Sequence, residues 1–201
     1  MFLKKLAPIL VLLILASRVA AQHIDAGIKG GMNIAMLDYA ISSGPRAGIN
    51  GGVFVSFGFN RLTFQPELVY SQQGASWTAY FVGGPSSTAS RFDGKTKLNY
   101  LNLPLVVKLR FGKIFNLQAG PQIGIPLTAK VSNDPLNSSS YSTLNNEAVD
   151  LAAVTGAGLN LPGGISVDAR FNLSLAALSS GNREKNQVVQ IAVGYRLLKI
   201  K

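Results

Sequence analysis

No cysteine occurs in the 201 residues, histidine occurs once, and only nine residues are acidic. Without cysteine there is no disulfide, no thiolate metal site, no cysteine nucleophile and no lipoprotein anchor. A histidine-centred catalytic site would have to be built on His23. Charged residues make up 14% of the chain, against about 25% in an ordinary soluble domain. The shortage is on the acidic side: 19 Lys and Arg leave a formal charge of +10. Long apolar runs are also missing beyond the N-terminus, where a spanning helix would need about 20 such residues. If this chain enters a membrane, helices do not put it there.

The first 21 residues stand apart. Lys4 and Lys5 form a positive start, Leu6 to Ala16 an apolar stretch, and Val19-Ala20-Ala21 a run of small residues before Gln22. This is the pattern of a secretory signal, with cleavage expected after Ala21. Pro8 and the short apolar stretch argue against a membrane anchor.

Beyond Gln22 the chain alternates with period two, apolar against polar. Eight segments carry the pattern: 24–34, 47–59, 61–73, 97–111, 114–128, 148–161, 164–177 and 187–197. Pro66, Pro104, Pro121 and Pro126 fall inside them and should interrupt the ladder locally. The connections alternate in length. Breaks near 38–46, 75–95, 129–147 and 178–186 are long and rich in Ser, Gly, Asn and Pro; those at Phe59-Asn60, Gly112-Lys113 and Pro162-Gly163-Gly164 are tight. An up-and-down barrel places alternate connections at the same end, so all long loops share one end. Outer-membrane barrels have this asymmetry, with the short turns on the periplasmic side. The expected fold is an all-β, eight-stranded, antiparallel, up-and-down transmembrane β-barrel over residues 22–201.

Alternation alone does not choose the solvent. A soluble lipocalin-like ligand-binding barrel, periplasmic or secreted, also alternates, with its apolar face inward. Three features favour lipid on the apolar face. The polar face is rich in Gly, Asn, Gln and Ser rather than long charged side chains. The aromatics Phe57, Phe59, Phe111, Phe115 and Tyr195 collect near the tight turns, where an interfacial girdle belongs. The segments reach the roughly 9–11 residues that a tilted strand needs to cross a bilayer. Hydrocarbon offers no partner to an open sheet edge, so the first and last strands must pair.

Several stretches resemble the PorT-like outer-membrane β-barrel proteins. They are Gly27-Ile28-Lys29-Gly30-Gly31-Met32-Asn33, then Gln65-Pro66-Glu67-Leu68-Val69-Tyr70-Ser71-Gln72-Gln73-Gly74, then Tyr100-Leu101-Asn102-Leu103-Pro104-Leu105 with Lys108. Ala119-Gly120-Pro121, Asp168-Ala169-Arg170-Phe171-Asn172 and Gly194-Tyr195-Arg196 complete the set. The resemblance implies an outer-membrane location, and some members of that family are linked to protein secretion. The chain departs from the common pattern at its end. An aromatic usually closes the last strand as an assembly signal, but here Tyr195 is followed by Arg196-Leu197-Leu198-Lys199-Ile200-Lys201. Either Tyr195 is the signal or the tail is an extension.

Parity places Asp25, Lys29, Arg61, Glu67, Lys108, Arg110, Asp150, Asp168, Arg170 and Arg196 in the lumen. The interior of an eight-stranded barrel is just wide enough for side chains to fill it. These residues therefore read as a structural plug of ion pairs, because unpaired buried charge is costly. The catalytic alternative, Glu67 and Asp168 as acid and base of a lipid-modifying enzyme, would need substrate to enter a filled lumen. His23 reads as a solvated residue at a strand start. Gly156-Ala157-Gly158 lacks the third glycine of a dinucleotide site, where Leu161 stands instead. No cofactor or metal is expected. The basic residues are scattered rather than gathered into a stripe, so nucleic acid is not the expected partner. Lys113, Lys199 and Lys201 near one end, and Arg91, Lys95 and Lys97 near the other, meet anionic lipid groups or serve as ordinary solubility charge. Trp77, Tyr80 and Phe81 fall in the long break at 75–95, either as contacts for a protein partner or as rim residues. The expectation is a monomeric barrel in outer-membrane lipid, acting as a scaffold or interaction protein through its long loops.

Overall fold

The computed structural model describes residues 23–37, 43–81, 90–134, 138–142, 149–175 and 186–200. The expected signal segment, 1–21, lies outside them. The strands are β1 (His23–Leu37), β2 (Ser43–Phe59), β3 (Leu62–Phe81), β4 (Ser90–Phe111), β5 (Phe115–Asp134), β6 (Ser138–Ser142), β7 (Asp150–Asn160), β8 (Ile165–Ser174) and β9 (Asn186–Ile200). Each pairs antiparallel with its neighbours, and β1 pairs with β9, from Ile24 against Ile200 to Leu37 against Asn186. That pairing closes the sheet. β6 and β7 both pair with β5, β6 against residues 129–133 and β7 against 115–124. Together they occupy one position in a ring of eight antiparallel strands. No described helix is long and apolar enough to cross a membrane.

Side-chain direction follows the alternation. Along β1, Ile28, Met32 and Ile34 are exposed while Asp25, Lys29 and Asn33 are buried. The same holds around the ring. Exposed large apolar residues such as Leu68, Val107, Leu117, Leu151, Ile191 and Val193 cover the outside, and Glu67, Lys108, Gln118, Asp168, Arg170 and Gln190 fill the inside. Water would require the reverse arrangement, so the soluble lipocalin-like reading is set aside.

Tight turns form where the backbone can make them. Asn60, at φ 50°, supplies the left-handed residue of the β2–β3 turn, and Gly112, at φ 68°, that of the β4–β5 turn. Pro162–Gly164 makes a single 3-10 turn between β7 and β8. These turns, the start of β1 and the end of β9 lie at one end of the barrel, here the turn end. At the other end, the loop end, β1, β3, β5 and β8 finish and β2, β4, β7 and β9 begin.

The prolines behave as their missing N–H dictates. Pairing of β2 with β3 runs from Asn50–Ser71 to Phe54–Glu67 and resumes at Phe57–Phe64, skipping the positions beside Pro66. Pairing of β4 with β5 skips those beside Pro121, and its register shifts next to Pro126.

Two expected loops are largely strand. Residues 75–81 and 90–95 extend β3 and β4 as one hairpin, paired as far as Phe81 against Ser90. Residues 129–134 extend β5, and 138–142 fold back on it. The C-terminal tail is strand as well. It pairs Lys199 with Asp25 and Ile200 with Ile24 after a register shift that leaves Leu197 as an extra residue. That bulge explains why Leu197 and Leu198, adjacent in sequence, are both exposed.

Candidate functional site

Five charged side chains from four strands meet in the middle of the lumen. Lys29 enters from β1, Glu67 from β3, Lys108 from β4, and Asp168 and Arg170 from β8; all are buried. Arg170 grips Glu67 with both terminal nitrogens, at 2.8 and 2.7 Å. Such a fork-on-fork pair is among the stronger charged hydrogen bonds. Lys29 Nζ donates to the same carboxylate at 2.8 Å. Lys108 Nζ lies 3.3 Å from both oxygens of Asp168. Asp168 also stands 3.6 Å from Arg170 and 3.9 Å from Lys29, which joins the two carboxylates into one cluster.

Two amides that parity puts on the polar face, but whose part in the cluster the sequence does not signal, complete it. Gln118 donates to Asp168 at 2.9 Å and accepts from Arg170 Nε at 2.8 Å. Gln65 donates to Glu67 at 2.7 Å. A small buried network, Asn50 to Asn33 at 2.7 Å and Asn33 to Ser71 at 2.8 Å, continues the filling toward the loop end. The lumen is crossed by hydrogen bonds rather than open. Leaving one partner of a buried pair alone costs about 3–5 kcal/mol, so the members hold one another in place.

The remaining lumen candidates lie elsewhere. Arg61 is exposed in the Asn60–Arg61 turn, outside the lumen, because β2 and β3 end on the Phe59–Leu62 pair. Arg110 sits half-buried at the turn-end rim; its guanidinium donates to the Asn60 carbonyl and its backbone N–H to that of Arg61. Arg196 lies 3.4 Å from Asp25, and His23 is 3.8 Å from the same carboxylate. Asp150 accepts from Ser174 at 2.5 Å near the loop end. Among the described residues no group of three or more acids and histidines could hold a metal.

Near the turn end, Phe111, Phe115 and Tyr195 are exposed on the outer wall, and Phe57 and Phe59 are half-buried. Phe57 stacks on Phe64 at 6.4 Å, and Phe111 meets Phe115 at 6.0 Å. Trp77, Tyr80 and Phe81 stand in β3, opposite Gly94, Arg91 and Ser90, not in an irregular loop.

A closed ring of antiparallel strands, apolar outside and packed with charge inside, is the architecture of a barrel that crosses lipid. Residues 20–180 match the model of the outer membrane protein beta-barrel domain, and the chain belongs to that family. Neisserial surface protein A (NspA) shares the fold at a TM-score of 0.56 and 13% identity, over 86% of this chain and 97% of that one. Ail, the attachment invasion locus protein of Yersinia pestis, solved with the heparin analogue sucrose octasulfate, aligns more loosely. Its TM-score is 0.47 at 16% identity, over 87% of this chain and 99% of Ail. No curated protein sequence matches. The chain is an outer-membrane protein, embedded in the lipid of that membrane.

Proposed function

We propose that this barrel is a monomeric membrane-embedded scaffold whose work is done by the strand extensions at its loop end. One observation carries the reading. The β3–β4 hairpin is paired as far as Phe81 and Ser90, with strands of 20 and 22 residues, whereas crossing a bilayer takes about 9–11. Roughly the outer half of the hairpin therefore stands beyond the hydrocarbon. Short turns of such barrels face the periplasm, which puts this hairpin on the cell surface. Trp77, Tyr80 and Phe81 supply it with the residue types that anchor protein interfaces.

The lumen supports neither transport nor catalysis in this reading. Glu67 and Asp168 are each held by cations and an amide, so neither is free to act as acid or base. The cluster serves instead as a structural plug. Residues 1–21 serve as the cleaved export signal, and Phe57, Phe59, Phe111, Phe115 and Tyr195 as the periplasmic girdle. The resemblance to PorT-like barrels makes protein secretion the process to examine first.

Complementation tests the proposal. Residues 79–92 are replaced by Asn-Gly, which joins the paired Thr78 and Asp93 by a two-residue turn. In a strain lacking the protein, this variant should reach the outer membrane and fail to restore the lost phenotype. Full restoration by the shortened barrel overturns the reading.

A further inference from the structure

The turn-end mouth of the barrel holds a cavity that the plug and the projecting hairpin do not explain. It encloses about 890 Å³, within the ~300–1,000 Å³ typical of ligand sites. Its inner end is formed by Phe54, Gln65 and Lys108, the last two also members of the plug. From there it opens between the tight turns. Five cations line it, Lys108, Arg110, Lys113, Arg196 and Lys199, and among the described lining residues Asp25 is the single carboxylate. Asp25 is engaged by Arg196 at 3.4 Å and Lys108 by Asp168 at 3.3 Å, so among the described residues the charges of Arg110, Lys113 and Lys199 are the ones left facing the cavity without a carboxylate. A concave, low-dielectric wall bearing one sign of charge focuses its field into the cavity and concentrates ligands of opposite sign.

We propose that this vestibule binds an acidic peptide segment of a periplasmic protein. Three features of the cavity select that chemistry. The cations come from β4 and the turn after it on one side and from β9 on the opposite side of the strand ring, so they face one another across the mouth instead of converging on one point. Such spacing suits several carboxylates along a chain better than one compact anion. Between the cations the wall offers hydroxyls and amides, Ser56, Thr63, Ser166 and Asn160, with the Phe54 ring at the floor. This mixture of polar and apolar surface fits peptide backbone and side chains. Finally, the cavity lies inside the strand ring, while the outward aromatics Phe111 and Phe115 mark the opposite face of the same wall. Lipid headgroups surround the barrel and do not reach beneath its lumen. The site is at the far end from the β3–β4 hairpin and stands or falls independently of it.

The test uses the whole protein purified from membranes and held in neutral detergent. Its probe is a fluorescent hexaglutamate peptide, with hexalysine as control. Saturable hexaglutamate binding is expected, weakening steeply with salt. Lys113 and Lys199 are exposed, so a Lys113→Gln/Lys199→Gln variant should keep the heat-dependent gel mobility of the parent. It should bind the probe about fivefold more weakly, the effect of two rim charge contacts. Absence of hexaglutamate binding, or equal binding by the double variant, overturns the proposal. So does equal displacement by millimolar inorganic phosphate, which would mark a site for compact anions. Affinity for phosphatidylglycerol vesicles in place of the peptide would assign the cations to headgroups and overturn it as well.

Discussion

Glu67 is the residue on which the lumen turns. It accepts from Lys29, from both terminal nitrogens of Arg170 and from Gln65, and it is 2% exposed. Glu67→Gln keeps the shape and removes the charge. Lys29, Lys108 and Arg170 would then share Asp168 alone, and the new amide N–H groups would point at donors. The expected loss of stability is about 3–5 kcal/mol, the cost of orphaning a buried ion, read as a lowered urea midpoint of the barrel refolded in vesicles. A Lys29→Met/Glu67→Gln double variant restores the original excess of one cation in the cluster, so it should lose less than the two single changes added together. A loss below about 1 kcal/mol for Glu67→Gln would mean that water, not Glu67, solvates the cations. Parity placed Lys29, Glu67, Lys108, Asp168 and Arg170 on one face of their strands, and the structure brings those five together. The roles of Gln65 and Gln118 were not legible, because an amide two or ten residues from a charge carries no sign of its own. Arg61 shows the limit of parity itself. A boundary displaced by one residue moves a side chain from wall to turn.

At the scale of elements, the β3–β4 hairpin divides into a part that builds the barrel and a part that projects from it. Up to about Ala75 and Thr96, its inward residues are buried among those of neighbouring strands. Beyond them the two strands pair chiefly with each other, with the start of β2 as far as Trp77, and with the end of β5. The Asn-Gly replacement of residues 79–92 keeps the Thr78 to Asp93 hydrogen bond of 2.8 Å. It should therefore change stability by less than about 1 kcal/mol, as surface changes away from packed features do. Loss of the heat-dependent gel shift in this variant would show that the hairpin tip is needed for folding. The strand cores were readable from alternation, and the tight turns from Asn60, Gly112 and Gly163. The extensions were not, since Ser and Gly in 75–95 masked the strand preference of Trp77, Thr78, Tyr80 and Phe81. Similarly, the Leu197-Leu198 pair broke the alternation through a bulge that only pairing with β1 reveals.

Across the whole molecule the decisive property is which face meets apolar surroundings, and one substitution separates the two possibilities. Val193 lies mid-way along β9, 53% exposed, between Gly30 of β1 and Val167 of β8. On a water-facing wall, Val193→Arg would cost almost nothing and would improve solubility. On a lipid-facing wall, two residues inside the Tyr195 girdle, it costs more than the ~0–1 kcal/mol of the interface and up to the ~2–4 kcal/mol of the midplane, because the guanidinium must be drawn out of water or must snorkel past its neighbours. The measurement is urea unfolding of parent and variant refolded into phosphatidylcholine vesicles. Leu62→Arg, on the same outer face but at the turn-end start of β3, serves as the control and should cost no more than about 1 kcal/mol, as charges near the interface do. The depth dependence carries the argument. A charge penalised at Val193 and tolerated at residue 62 locates the hydrocarbon along the barrel wall.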